Sequence, residues 1–456
     1  MTEFVCMIHQ GCIRWPEATA VVCGSQALTY RALDAQVNIA AQALSHCDPC
    51  VTVKRSVTGT LDDVVQLLAA QRIGLCVMPL NPQLPDDWLN AAVKNLVLAD
   101  WPEPTQNAEL TAKTAKTAKT AKTAKTAKTA ITPIAANCPL HWILTSGSTG
   151  TPKVAVLSMG NHHYSAIGSL WYLHSQVGDR YWMSLPLFHV GGLSQLFRCF
   201  LSGATLVIPN QRLSADCLAE FNITHLSLVP TQLQRLLAER QDALSHCKSI
   251  LLGGAPAPQH LLDQAKHLPL QTTYGLTEMA SQVVTKQPDG HYQLLPYRAL
   301  KISTLDEILV KGDTLFLGYQ TAAGLNPSVD ADGWFRTRDT GSWNGQRLVI
   351  TGRIDNQFIS GGENIQPEVL ERIALGYATI EQAVVVPVSD TEFGQRPVIY
   401  VSGATDLNGF LTWFISHIPK HANPIAVLPL PPQAGLKINR QGLQQLAEQH
   451  IHGNLA

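Results

Sequence analysis

The sequence is poor in charge. Only 15% of its 456 residues are Asp, Glu, Lys or Arg, and 33 basic side chains nearly balance 34 acidic ones. A net charge of -1 argues against a protein that coats nucleic acid or an anionic membrane. Long apolar runs are also missing, because Gln66, Gln71 and Arg72 interrupt even the most apolar helical segment, so we expect no membrane span. The first 14 residues lack a basic start followed by an apolar core, which argues against a secretory signal.

Cysteine is scattered, with ten residues and none after position 247. A disulfide framework is not expected in a chain of this length, so we predict a reducing, cytoplasmic setting. Cys47 and Cys50 form one CxxC beside His46. A zinc site needs a second pair at matched spacing, which the sequence lacks, so we interpret this pair as structural.

Apolar residues make up 45% of the chain. A chain of this length and composition can form two to three domains with sizeable cores. Short β-like runs alternate with helical patterns, as in βαβ units. Strands are predicted at 141–144, 181–184, 205–208, 225–229 and 249–252, and helices at 192–201, 231–239 and 258–267, with Thr231 capping its helix. We predict an α/β fold, with a large multi-subdomain N-terminal domain over 1–352 and a small, mobile α+β domain over 353–456.

One segment is of low complexity. From Thr111 the triplet Thr-Ala-Lys repeats six times, to Lys128, and period three matches neither a helix face nor a strand face. We interpret 111–130 as a solvated surface insertion. The alternative, a basic arm that attracts nucleotide or nucleic acid, is disfavoured because the repeat has no aromatics or arginines.

The strongest local signal is TSGSTGTPK, residues 145–153, directly after the apolar run HWIL. Its glycines and hydroxyls give backbone N–H groups free access to phosphate oxygens. It is not a Walker A loop, because Lys153 follows Pro152 rather than a glycine.

This string resembles the phosphate-binding signature of the adenylate-forming superfamily, which includes acyl- and aryl-CoA synthetases, peptide adenylation domains and luciferases. Its other motifs follow in the order of the superfamily: LPLFHVGG (185–192), LLGGAPAP (251–258), TYGLTE (273–278), DEILVKG (306–312), DGWFRTRD (332–339), GRIDN (352–356), SGGENIQPEVLE (360–371) and GLKINR (435–440). The resemblance covers nearly the whole chain except the repeat. It implies ATP, Mg²⁺ and coenzyme A as co-substrates.

The resemblance also implies roles for individual residues. Tyr274 would face adenine, Thr277 would bind the α-phosphate, Glu278 would hold Mg²⁺, and Asp339 with Arg353 would bind the ribose; for the last pair the alternative is a surface salt bridge. The remaining ATP-binding candidates are Thr145, Ser146, Gly147, Ser148, Thr149, Gly150, Lys153, Gly253, Gly254 and Ala255.

Lys437 matches the lysine that enters the adenylation site and bridges the attacking carboxylate and the α-phosphate. Asp355, in the GRIDN string, resembles the superfamily's hinge residue between the two domains. A rotation there would withdraw Lys437 from the active site and bring in Ser360, Gly361 and Gly362. These three residues would then line the path of the CoA thiol arm.

Four longer strings are more specific: LNPQLP (80–85), LSLVPTQLQRLL (226–237), FISGGENIQPEVLE (358–371) and VPVSDTEFGQRPV (386–398). They resemble the o-succinylbenzoate–CoA ligases, the branch of the superfamily that serves menaquinone biosynthesis. That substrate is an aromatic dianion. The resemblance implies a pocket in which His189 packs at the edge of the ring, and Arg198 binds the non-reacting carboxylate directly or through water. Ser227 and Thr231 would add hydroxyl donors. The alternative for Arg198 is a solvated helix residue.

Three other functions stay open at this point. The chain could be another aryl- or acyl-CoA ligase, a peptide adenylation domain, or an inactive nucleotide-binding homologue. No carrier domain follows Gln449, which disfavours the second, and the presence of Glu278, Asp339, Arg353 and Lys437 together disfavours the third. The turn before DEILVKG reads HYQLLPYRALKIST, poorer in glycine than in relatives, so the details of the acid pocket stay open. Assembly into a homo-oligomer is a separate open question.

Overall fold

The computed structural model describes residues 2–84, 86–94, 96–102, 131–145, 152–240, 242, 244–403, 406–432 and 438–453. The helices are α1 (Met7–Arg14), α2 (Tyr30–Ala43), α3 (Leu61–Ile73), α4 (Asp86–Val93), α5 (Met159–Leu173), α6 (Val190–Leu201), α7 (Ala215–Glu220), α8 (Pro230–Glu239), α9 (Gln259–Gln264), α10 (Pro367–Ala374), α11 (Leu407–Ile415) and α12 (Arg440–His452). The strands up to the middle of the chain are β1 (Glu3–Phe4), β2 (Thr19–Cys23), β3 (Gln26–Thr29), β4 (Thr52–Ser56), β5 (Val77–Leu80), β6 (Leu98–Asp100), β7 (Ile134–Ala135), β8 (Pro139–Thr145), β9 (Lys153–Ser158), β10 (Arg180–Trp182), β11 (Thr205–Ile208), β12 (His225–Leu228), β13 (Ser249–Leu252) and β14 (Leu270–Leu276). They are followed by β15 (Ser281–Lys286), β16 (Tyr292–Leu294), β17 (Ala299–Ile302), β18 (Glu307–Lys311), β19 (Gly318–Thr321), β20 (Gly324–Asn326), β21 (Phe335–Trp343), β22 (Leu348–Arg353), β23 (Phe358–Ser360), β24 (Glu363–Ile365), β25 (Gln382–Asp390), β26 (Gly394–Ser402) and β27 (Ala426–Pro429).

The largest sheet has nine strands in the order β16-β15-β14-β13-β12-β10-β11-β2-β3. Its inner pairs, from β14 across to β2, are parallel, and its outer pairs are antiparallel. Strands β11, β12 and β13 are buried at every position, as parallel strands covered on both faces should be. Because parallel strands end at the same edge, the segments after β12, β13 and β14 lie side by side.

Two further sheets complete the larger unit. The seven-stranded sheet has the order β20-β19-β9-β8-β5-β4-β6, and the four-stranded antiparallel sheet has the order β17-β18-β21-β22. In the former, β8 and β9 are antiparallel and pair Thr145 with Lys153. The loop they enclose, 146–151, lies outside the described residues. The pairing of Thr145 with Lys153 nevertheless fixes the points at which the TSGSTGTPK string leaves and re-enters the sheet.

The smaller C-terminal unit has its own core. Strands β25, β26 and β27 form a sheet with helices α10, α11 and α12 packed on it. The apolar cluster of the larger unit extends to Ile350, and that of the smaller unit starts at Phe358. The chain therefore changes core between these two residues. No helix in the described part of the chain is long and apolar enough to cross a membrane.

Most predicted elements are present with shifted ends, and one predicted contact is wrong. Thr231 does not cap its helix: α8 begins one residue earlier, with Pro230 at its first position, and the Val229 N–H is bound by the Gln232 side chain. Proline suits that position because it has no N–H to satisfy. The strand predicted at 181–184 is β10, which starts one residue and ends two residues earlier, and the helix predicted at 258–267 shortens to α9. The repeat at 111–130 lies outside the described residues.

Candidate active site

The segments after β13 and β14 form one wall of the candidate nucleotide site. Gly253 approaches β14 so closely that a Cβ there would lie 2.9 Å from Thr273 Cγ2. Gly254 has φ +86°, a conformation that favours glycine. With Ala255, it is exposed at the sheet edge beside the end of β14. The two glycines therefore allow the chain after β13 to pack closely against Thr273 of β14 and Val229 after β12.

A chain of partly buried hydrogen bonds links three of the predicted ATP-binding residues. The Tyr274 hydroxyl donates to Asp339 Oδ2 (2.7 Å), and Arg353 donates to Asp339 Oδ1 (2.7 Å). Asp339 is only 9% exposed, whereas the Arg353 side chain is 42% exposed, so the pair forms a half-buried salt bridge. The register Asp339↔Arg353 between β21 and β22 holds the pair together. Since a carboxylate has about four lone-pair sites, Asp339 can also accept hydroxyl donors from a sugar.

Burial controls the ionisation of these groups. It raises the pKa of Tyr274, which Asp339 raises further, and it raises the pKa of Asp339 despite the adjacent arginine. Burial opposes the charge on Arg353, but Asp339 and Asp355 raise its pKa on balance. The cation is therefore a permanent partner of the carboxylate.

Glu278 lies beside this chain, in a short 3-10 turn, Thr277–Met279, that follows β14. Its Oε1 accepts a hydrogen bond from the Tyr319 hydroxyl (2.6 Å). The Tyr319 ring in turn faces Lys153, whose Nζ is 5.1 Å from the ring centroid. Tyr319 thus contacts both Lys153, at the end of the TSGSTGTPK string, and Glu278.

The donor set around Glu278 fits Mg²⁺. The described residues contain no group of three or more His, Cys, Asp or Glu side chains that could hold a metal by themselves. Mg²⁺ bound with a nucleotide needs no such group, because it takes one or two carboxylates and completes its shell with phosphate oxygens and water. Glu278 supplies one half-buried carboxylate with one oxygen fixed by Tyr319.

Four residues, His189, Arg198, Ser227 and Thr231, are predicted to form the acid pocket. Arg198 is 2% exposed, so it is not a solvated helix residue. It donates to Ser227 Oγ (3.1 Å), Ser194 Oγ (3.2 Å) and Gln282 Oε1 (3.4 Å). Among the described residues no carboxylate forms an ion pair with it, and burial lowers its pKa to about 10. A buried cation without a counter-ion is costly, which indicates a site built for an anion.

His189 and Arg198 lie at opposite ends of α6. His189 precedes α6 and stacks edge-on against Phe188, with ring centroids 4.7 Å apart. The backbone of Arg198 lies in the last turn of the same helix, about 13.5 Å further along its axis at 1.5 Å per residue, although its side chain reaches back towards Ser194. Thr231 is the second residue of α8, half-buried, at the edge where β12 ends.

The predicted CoA and hinge residues lie in the linker and the smaller unit. Ser360 is 1% exposed, with no hydrogen-bond partner for Oγ in the described structure. Gly361 (φ +58°) and Gly362 (φ +86°) form the exposed turn between β23 and β24. Asp355 pairs with Arg353 (3.1 Å) and Arg338 (3.5 Å). Lys437, Ser146, Gly147, Ser148, Thr149 and Gly150 lie outside the described residues.

Sequence reasoning missed Tyr319, Gln282 and Arg298. Tyr319 lies in an apolar run that reads as an ordinary strand, so nothing local signals its bond to Glu278. Gln282 and Arg298 belong to segments with no recognised motif. Only the charge of Arg298 amid apolar neighbours could have drawn attention to it.

The comparisons with known proteins fit this geometry. A family model described as AMP-binding enzyme matches residues 9–319. The chain belongs to the AMP-binding enzyme family. Among curated members it is similar to the 2-succinylbenzoate–CoA ligase of Salmonella typhimurium, at 37% identity over 94% of this chain and 95% of that protein. The corresponding Escherichia coli ligase is 36% identical over 83% of each chain.

Solved structures of AMP-binding enzymes are similar along nearly the whole chain. The Bacillus subtilis o-succinylbenzoate CoA synthetase (MenE) in complex with the acyl-adenylate intermediate OSB-AMP has a TM-score of 0.83 at 26% identity, covering 97% of this chain and 99% of that one. The same enzyme with ATP and magnesium ion has a TM-score of 0.82 at 26% identity, covering 97% and 100%. The predicted fold class, a large α/β unit followed by a small α+β unit, is confirmed.

Proposed function

We propose that this chain is a 2-succinylbenzoate–CoA ligase. It activates o-succinylbenzoate with ATP to give the acyl-adenylate and pyrophosphate, and then transfers the acyl group to CoA with release of AMP, a step of menaquinone biosynthesis. The observation that carries the choice of acid is Arg198, a buried cation with neutral partners. Such a cation suits a substrate with a second, non-reacting carboxylate, and relatives named for this reaction match over nearly the full chain.

In the first half-reaction the succinyl carboxylate attacks the α-phosphorus of ATP, and the bond to pyrophosphate breaks. We assign the ribose to Asp339 and Arg353, adenine to Tyr274 and the turn 253–255, and the phosphates to Thr277, Lys153, Thr145 and residues 146–150. Glu278 would hold Mg²⁺, which neutralises phosphate charge when bound. Lys437 would bridge the carboxylate and the α-phosphate, an interaction worth roughly 4 kcal/mol at 4 Å and an effective dielectric near 20.

In the second half-reaction the CoA thiol attacks the acyl carbon, and AMP leaves. We infer that the small unit, 353–456, rotates about Asp355 for this step. The turn at 360–362 would then border the thiol arm, because its two glycines present bare backbone. Ser360, with an unpartnered hydroxyl, would gain a hydrogen-bond partner there.

Two coarser inferences go with this function. All ten cysteines are free, which fits a reducing compartment and supports a cytoplasmic enzyme. The partners we propose are the small molecules o-succinylbenzoate, ATP and CoA. A homo-oligomeric form of the enzyme is compatible with binding these substrates.

The deciding experiment is ATP–pyrophosphate exchange with purified protein. We expect exchange with o-succinylbenzoate and much slower exchange with benzoylpropionate, which lacks the ring carboxylate. Faster exchange with another aryl or acyl acid would change the assigned substrate but leave the assigned reaction, adenylation of a carboxylic acid, in place. If none of the acids supported pyrophosphate exchange, the result would favour an inactive nucleotide-binding protein.

A further inference from the structure

A second buried arginine lies close to Arg198. Arg298, 8% exposed, immediately precedes β17. It donates to the backbone carbonyls of Gln282, Pro296 (2.7 Å) and Ser165 (3.2 Å) and to Ser165 Oγ (3.0 Å). All of these acceptors are neutral. Like Arg198, Arg298 forms no ion pair with a carboxylate in the described part of the chain.

Gln282 connects the two arginines. Its side-chain Oε1 accepts from Arg198 (3.4 Å), its backbone carbonyl accepts from Arg298, and its Nε2 donates to Thr285 Oγ1 (3.1 Å). One residue of β15 therefore bonds both cations, and Arg298 fixes the backbone from which Gln282 reaches Arg198. Burial and the charge of Arg198 together lower the pKa of Arg298 to about 9.

The fold makes space for this second cation. A Cβ at Gly168, on α5, would lie 2.5 Å from Arg298 Nη1 and 2.9 Å from the Pro296 carbonyl. Ser165, one turn earlier on the same helix, supplies two acceptors. The arginine is thus enclosed by α5 and β15 rather than directed to solvent.

Two buried guanidinium groups with neutral partners repel each other and are costly unless an anion joins them. We propose that Arg298 is a positioning and specificity-determining residue for the non-reacting carboxylate of the substrate. It orients Arg198 through Gln282, and its charge adds to the attraction for a dianionic acid over a monoanionic one. This inference rests on the proposed function, and it assigns Arg298 no contact with the substrate.

The sharpest test is Gln282→Glu, which places a carboxylate between the two cations with little change of shape. We expect the KM for o-succinylbenzoate to rise about tenfold or more, because the new carboxylate competes for the same charge. The KM for benzoylpropionate should change less than twofold, and the melting temperature should not fall. Gln264→Glu, an exposed position on α9, adds the same charge elsewhere and should change neither KM.

Two variants at Arg298 decide the matter if Gln282→Glu does not fold. Arg298→Lys keeps the charge and should retain most of the preference for the dianion, measured as the ratio of kcat/KM for the two acids. Arg298→Met removes the charge and should lower that ratio about tenfold. Equal losses with both acids, or an unchanged KM for o-succinylbenzoate in Gln282→Glu, would show that Arg298 is only structural and overturn the inference. If instead the wild type failed to activate o-succinylbenzoate, the proposed function itself would fall.

Discussion

At the scale of single residues, burial decides which charges this protein tolerates. Arg198 remains a cation inside the core, whereas three buried histidines remain neutral. His141 and His162 lie 3.0 Å apart, ring nitrogen to ring nitrogen. Burial lowers the pKa of His141 to about 3 and that of His163 to about 4, and it also lowers the pKa of His162. A cation with no structural counter-ion therefore points to a ligand, and a neutral imidazole points to packing.

Arg198→Ala should raise the KM for o-succinylbenzoate far more than the KM for ATP. Loss of a hydrogen bond to a charged group costs about 1.5–3 kcal/mol, or roughly ten- to a hundredfold in affinity. Steady-state kinetics with each substrate varied in turn measure the two constants. Arg347→Ala, at an exposed position, is the control, and an unchanged ratio of the two KM values would remove Arg198 from the pocket.

The buried histidines should make the protein less stable in acid. Their folded pKa values lie below the unfolded value of about 6.5, so only the unfolded chain takes up protons as the pH falls from that value, and the free energy of unfolding decreases. His163 stacks on Phe4 with ring centroids 4.0 Å apart, and its Nδ1 has no partner in the described structure. His163→Phe should therefore reduce the loss of stability between about pH 7 and 5.5 by roughly 1 kcal/mol.

Urea unfolding at the two pH values measures this effect. His46→Phe, at an exposed position, should leave the pH dependence as in the wild type. If His163→Phe did the same, the His163 ring would not be neutral in the folded protein.

At the scale of elements, strand pairing assembles the candidate nucleotide site from distant parts of the chain. Strand β19 pairs with β9 and so carries Tyr319 to Lys153 and Glu278. Strands β21 and β22 pair Asp339 with Arg353. Each functional contact is thus set by a register, and a shift of one residue would reverse the face on which the side chains lie.

Tyr319→Phe should weaken the apparent affinity for Mg²⁺ during adenylation by about tenfold, because it removes the donor that orients the Glu278 carboxylate. The ring that faces Lys153 stays in place. The rate of pyrophosphate exchange as a function of free Mg²⁺ measures the change. Tyr172→Phe, in α5, is the matched control, and equal curves for Tyr319→Phe and the wild type would deny Glu278 its proposed role.

At the scale of the whole molecule, the linker joins two cores and is held by several polar contacts. Gln366 donates to the Arg353 carbonyl (2.9 Å), and Arg372 donates to the Ile350 carbonyl (2.6 Å). Together with the ion pairs of Asp355 these bonds define one orientation of the smaller unit. A rotation about Asp355 would have to exchange them, which suits a motion between two defined poses rather than a loose tether.

Lys437→Ala tests the two-pose model. We expect it to abolish pyrophosphate exchange while the variant still converts supplied acyl-adenylate to the thioester with CoA, because the lysine would act in only one pose. Single-turnover assays of each half-reaction separate the two steps. Equal loss of both would contradict the assigned role of Lys437.

The sequence by itself determined the α/β class and the order of the motifs, because glycine-rich turns, buried strands and series of polar residues are local patterns. The chemistry of adenylation followed from the resemblance of those motifs to the adenylate-forming superfamily. Only the tertiary structure decided that Arg198 is a buried cation without a counter-ion, that Tyr319 fixes Glu278, and that Gln282 joins Arg198 to Arg298. It also showed that α8 starts at Pro230, so Thr231 caps nothing. Burial and long-range partners arise when separate strands and helices pack together, and no local spacing records them.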